Sequence, residues 1–229
     1  MGESRGFLVP ARFAQELLAR WHAASVPAAA FEPEITRQLK QHSAALVERL
    51  TRKPLPVQLD AGYSVPDAAD PYMRCWANES TDTKLFFGAR AYNCSGDSDL
   101  FVGDGINTGS VYFESRLYQS DKLGPFRFGR ILAKAYGRQD EYSSDIPRKH
   151  FSKYACTDST VDLNGMPGKA ALCLRAYKKF TGLYDFRLRV VTLRESKRGL
   201  VTRLNLNGVT HEDGMRMVNH FMGALKWNG

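Results

Sequence analysis

Residues Tyr154–Phe186 read YACTDSTVDLNGMPGKAALCLRAYKKFTGLYDF, and the fold turns on this stretch. Asn164-Gly165 is a hairpin signal, because both central positions of a tight type I′ turn need a positive φ. The run Lys169–Lys178 that follows is strand-like, ending in Tyr177, and Cys156 and Cys173 stand on either side of the turn. An aromatic cluster, Phe180, Tyr184 and Phe186, closes the stretch.

A fainter copy lies about sixty residues earlier. Tyr92-Asn93-Cys94-Ser95 matches Tyr154-Ala155-Cys156-Thr157, and Gly109, Arg116 and Tyr118 keep the mutual spacing of Gly168, Arg175 and Tyr177. An internal duplication of a strand–turn–strand unit explains this echo. Shared hairpin chemistry explains it equally well.

The pattern between Tyr72 and Leu206 is one of strands. LFFGARAYNC, SDLFVGD, GSVYFESRLYQ, FRFGRILAKAYG, KAALCLRAYK, DFRLRVVTLRES and GLVTRLNLNG are short, rich in aromatic and β-branched residues and separated by turn formers. Asp104-Gly105 and Glu195–Gly199 read as further turns. Thr210 with Asp213 then forms a capping box, and Met217, Val218, Phe221 and Leu225 share one helical face. Residues 1–53 read as helical. Phe13, Leu17 and Trp21 mark one helix, and Ile35, Leu39, Leu46 and Leu50 mark a second opened by Pro33. Residues 54–71 carry four prolines and no period, the composition of a linker.

The expectation is an α+β chain: N-terminal helices (1–53), a Pro-rich linker (54–71), and a mainly antiparallel β domain (72–229) closed by a C-terminal helix. Four cysteines allow three pairings, and the neighbour pairing Cys75–Cys94 and Cys156–Cys173 closes two loops of similar size. Four reduced thiols would also suit a core. Oxidised pairs imply an extracytoplasmic compartment, periplasmic or secreted.

The 32 Lys and Arg against 24 Asp and Glu leave a net charge of +8. The basic residues are scattered rather than gathered on one footprint, so no nucleic-acid partner is expected. No apolar run is long enough to span a bilayer. Ser98 sits in Gly-Asp-Ser without the following glycines of an oxyanion loop, and Asp97, Asp99 and Asp104 miss the calcium-loop spacing. The five histidines have no local partners, so no catalytic residue, metal site or cofactor is assigned. Arg116, Tyr118, Arg175, Tyr177 and Tyr184 are the candidate binding residues, as tyrosines beside arginines suit a peptide- or glycan-binding groove.

Gly6-Phe7-Leu8-Val9-Pro10-Ala11-Arg12-Phe13-Ala14-Gln15-Glu16-Leu17-Leu18 resembles the end of the protease domain in trypsin-like serine proteases of the HtrA type, where a last strand passes through a proline into a helix. The resemblance implies that any catalytic Ser, His and Asp lie upstream. This chain would then be a non-catalytic accessory or substrate-recognition region whose partner is a protein or peptide, including the protease domain of the same polypeptide. The PDZ carboxylate loop usual in that family has no counterpart after residue 18. A stand-alone extracytoplasmic module binding protein or glycan is the alternative.

Overall fold

The computed structural model describes residues 31–52, 57–59, 62–66, 73–84, 87–96, 100–101, 107–137, 150–192 and 198–227, together with helical Gln15 and Ala19. Helix α1 (Phe31–Thr51) is followed by short strands β1 (Val57–Gln58) and β2 (Tyr63–Val65), then β3 (Met73–Asp82), β4 (Phe87–Gly96), β5 (Leu100–Phe101), β6 (Asn107–Thr108) and β7 (Ser110–Gln119). Helix α2 (Pro125–Gly137) leads to β8 (Ala155–Asp162), β9 (Pro167–Ala176), β10 (Leu183–Thr192) and β11 (Arg198–Thr210). Helix α3 (His211–Ala224) and β12 (Lys226–Trp227) complete the described chain.

Seven strands form one antiparallel sheet in the order β3-β4-β7-β11-β10-β9-β8. The fold is therefore α+β, and the sheet dominates it. Side chains alternate across a sheet, so β11 sends Leu200, Leu204 and Leu206 to one face and Val201, Arg203 and Asn205 to the other. The first face packs under α1 and α3 in a core that includes Leu46, Val47, Leu50, Phe113, Phe186, Met217, Val218 and Phe221. The second face carries α2, seated through Phe128, Leu132 and Ala135 on Tyr118, Val191 and Val201.

The helical stripes of α1 and α3 hold. Leu39, Leu46 and Leu50 are buried, as are Met217, Val218, Phe221 and Leu225. Thr210 caps α3, its hydroxyl accepting the Asp213 N–H at 3.1 Å and donating to Asp213 Oδ2 at 2.9 Å. Gly214 lets α3 approach the sheet, since a Cβ there would stand 2.2 Å from the Phe186 ring. The Asn164-Gly165 turn joins β8 to β9 with φ of 63° and 85°. This is the left-handed pair that the type I′ hairpin requires.

The segment Phe126–Gly137, read above as a strand, is helical. Phe126 and Phe128 imitate a two-residue period, but the buried set Phe128, Leu132 and Ala135 follows the helical i, i+4, i+7 spacing. Within the seven-stranded sheet, the two strands that the sequence reading lacks, β3 and β8, are its edges. Within 54–71, β1 and β2 form a small sheet with β12, and Trp227 packs edge-on against Tyr63 at 4.8 Å.

Both disulfides form as neighbour pairs, Cys75–Cys94 and Cys156–Cys173. Each ties an edge strand to the strand beside it. They lie on opposite faces: Cys94 stands beside Phe113 on the face of α1 and α3, and Cys173 beside Arg187 on the face of α2. The sequence echo aligned Cys94 with Cys156. In the sheet Cys156 on edge strand β8 corresponds to Cys75 on edge strand β3, and Cys94 corresponds to Cys173.

Burial pushes His42 on α1 and His220 on α3 below the ordinary histidine range, and Arg49 adds repulsion at His42. The unfolded chain then binds more protons than the fold, so stability rises with pH up to the unfolded value of about 6.5 and falls on acidification below it. The melting temperature should drop between pH 7 and 5.5, and the drop should shrink in a His42→Gln, His220→Gln variant. An unchanged pH slope in that variant would refute the assignment.

Candidate functional site

Antiparallel pairing of β9 with β10 sets Arg175 opposite Asp185. Between the pairs Tyr184–Val209 and Phe186–Leu206, two residues of β11, Asn207 and Gly208, stand opposite the single residue Asp185 of β10; this β-bulge in β11 bends the strand beside the carboxylate. The Asp185 carboxylate is fully buried. It accepts from Arg175 Nε at 2.7 Å, from the Tyr177 hydroxyl at 2.6 Å and from the Gly208 N–H at 3.3 Å. The Arg175 guanidinium lies 3.9 Å from the Phe151 ring centroid and 4.8 Å from that of Tyr154. Gly208 is required here twice over, by its φ of 67° and by Thr108, whose Cβ would meet an added Cβ at 2.5 Å.

Tyr177 is 3% exposed and Arg175 6%. The Tyr177 phenol is pushed far above its usual range, first by burial and then by the Asp185 charge and hydrogen bond. It stays a neutral donor. Arg175 and Tyr177 are thus brought together around a buried carboxylate whose acceptors are engaged, and this cluster holds the fold of the β9–β10 corner.

The other three candidates sit elsewhere. Tyr118 is buried under α2, 6.0 Å from the Phe87 ring. Arg116 is ion-paired with Glu114. Both are on β7, three strand spacings from β9, roughly 14 Å across the sheet. Tyr184 is half-buried, its ring packed against Phe186 and His211 at 6.5 and 5.8 Å. Ser98 and the aspartates 97, 99 and 104 lie outside the described residues, as do residues 6–18 apart from Gln15. Among the described residues no cluster of His, Cys, Asp and Glu could hold a metal ion, and no helix is long and apolar enough to cross a membrane.

A further site was not singled out in the sequence: the edge strand β3. It runs ten residues with no proline and in unbroken register with β4. Cys75 and Cys94 face each other with Cα atoms 4.1 Å apart, the close spacing of a pair that exchanges no ladder hydrogen bonds. The N–H and C=O groups of Cys75, Ala77 and Glu79 therefore point away from β4, toward the side of the sheet where no described strand pairs with β3. Trp76, next to the disulfide, is 43% exposed. At the far end of the strand a cavity of about 580 Å³ is lined by Glu79, Asp82, Phe87, Arg90, Leu117 and Lys122, among others. Phe87 and Leu117 give its lining apolar surface, and Glu79, Asp82, Arg90, Asp121 and Lys122 give it charge. The Glu79–Arg90 ion pair at 2.7 Å fixes one wall. Main-chain donors and acceptors beside a side-chain cavity can take an extended polypeptide.

No family model matches the chain, and no curated protein matches it. Among solved structures it is similar to LpqN of Mycobacterium tuberculosis, described as involved in cell envelope biogenesis, with 12% identity and a TM-score of 0.34 over 80% of this chain and 96% of that one. It is also similar to the Saccharomyces cerevisiae Ran-binding protein Mog1p, with 10% identity and a TM-score of 0.30 over 66% of this chain and 95% of that one. Likenesses this low carry neither a family nor an activity over to this chain.

Proposed function

We propose that the chain is an extracytoplasmic binding module that takes an extended segment of a protein or peptide along the edge strand β3. The carrying observation is the ten-residue edge itself, unpaired on its outer side among the described residues. Folded proteins usually shorten, bulge or cover such edges to stop them pairing, and β3 is instead clamped in place by Cys75–Cys94. In strand addition the main chain supplies affinity and neighbouring pockets supply side-chain selectivity. Here Trp76 and the cavity at Phe87 and Leu117 fill that second role. Two disulfides that use all four cysteines support an oxidising compartment. If residues 6–18 continue a trypsin-like protease domain, as their similarity implies, the bound strand is a polypeptide presented to that domain.

The test begins with selection from a random peptide display library on the oxidised chain. The amides of Ala77 and Glu79 should exchange quickly in the free chain and slow at least tenfold with a selected peptide. Ala77→Pro removes an outward N–H without touching the β3–β4 ladder, so it should abolish binding while circular dichroism stays unchanged. Trp76→Ala should weaken binding severalfold. Full-strength binding by Ala77→Pro, unchanged exchange at Ala77, or no selected peptide at all would overturn the reading.

A further inference from the structure

Helix α2 buries Phe128, Leu132 and Ala135 and turns the opposite side outward. On that outer side stand Phe126, Arg127, Arg130, Ala133 and Lys134, all exposed. The helix contains no acidic residue, and none of Arg127, Arg130 and Lys134 forms an ion pair among the described residues. Lys122 continues the basic face in the turn before the helix, where Asp121 is also exposed; after the helix the next acids in the sequence are Asp140 and Glu141, outside the described residues. Phe126 is 79% exposed, the most exposed large apolar side chain among the described residues. At 1.5 Å per residue the three basic groups spread over roughly 10 Å of a convex surface.

We propose that this face of α2 docks on a bilayer surface rich in anionic phospholipid. Arg127, Arg130 and Lys134 meet the headgroup phosphates, and the Phe126 ring enters the interfacial layer. A helix with a basic outer face and a projecting aromatic residue suits the membrane–water boundary. An acidic peptide would need a groove to hold it, and this surface is convex. A planar array of negative charge needs only the spread of cations that α2 presents. The docking is peripheral and reversible, each basic side chain contributing about fivefold near an anionic leaflet.

The experiment is co-sedimentation of the oxidised full chain with phosphatidylcholine vesicles, with and without 30% phosphatidylglycerol. Binding is expected only to the anionic vesicles and should fall as salt rises. Arg127→Gln, Arg130→Gln, Lys134→Gln in one variant should weaken it by about a hundredfold, and Phe126→Ala by severalfold. A control variant, Lys153→Gln, Lys178→Gln, Lys179→Gln, lowers the net charge equally and should bind like the parent. Equal binding to neutral vesicles overturns the proposal, as does equal loss in the control variant. Displacement by soluble polyglutamate at matched charge also overturns it and assigns the face to an acidic polypeptide.

Discussion

Asp185→Ala should lower the free energy of unfolding by about 3–5 kcal/mol, the range for removing one partner of a buried ion pair. The deletion strands Arg175, which is 6% exposed, with its guanidinium held between the rings of Phe151 and Tyr154. It also removes the acceptor of the Tyr177 hydroxyl and of the Gly208 N–H. The urea midpoint of the single variant measures this loss. Replacing both charges, Asp185→Leu with Arg175→Met, should recover much of it, because two apolar side chains leave no charge unpaired. A single variant within about 1 kcal/mol of the parent would show that solvent reaches the cluster.

Opening both disulfides should cost about 6 kcal/mol, since the chain-entropy model assigns roughly 3 kcal/mol to each loop of this size. The sequence separations are 19 and 17 residues. Domains commonly hold only about 5–15 kcal/mol in total, so the fully reduced chain should melt far below the oxidised one. The two bridges should also open in order. Cys94 is buried in the main core beside Phe113, whereas Cys156 is exposed on the outer strand β8. Timed thiol trapping followed by mass spectrometry should therefore find Cys156 and Cys173 labelled first. Simultaneous labelling of all four cysteines would mean that reduction proceeds through global unfolding.

How much of this was legible depended on how each element meets water. Elements with one wet and one dry face announce themselves: α1 and α3 by their apolar stripes, β7, β9, β10 and β11 by partial alternation. Edge strands do not. β3 and β8 are exposed at both parities over most of their length, so neither position class needs to be apolar and the two-residue period vanishes. Helix α2 failed for the opposite reason, because exposed Phe126 added a false beat to a genuine helical face. The candidate binding residues were chosen by type. Arg175 and Tyr177 stand together, but buried around a shared partner, Asp185, that is eight to ten residues away in sequence and reaches them only through strand pairing and a bulge.

The local chemistry of this chain was decided by the sequence alone: the Asn164-Gly165 hairpin, the Thr210 cap, the dry faces of α1 and α3, and four cysteines spaced for neighbour pairing. Each depends on a few adjacent residues and on backbone preferences that act before any tertiary contact forms. The strand order, the buried Asp185 cluster, the edge strand with Trp76 and the exposed cations of α2 were decided only in three dimensions. Each depends on which surfaces remain after strands and helices have covered one another, and that remainder has no local signature.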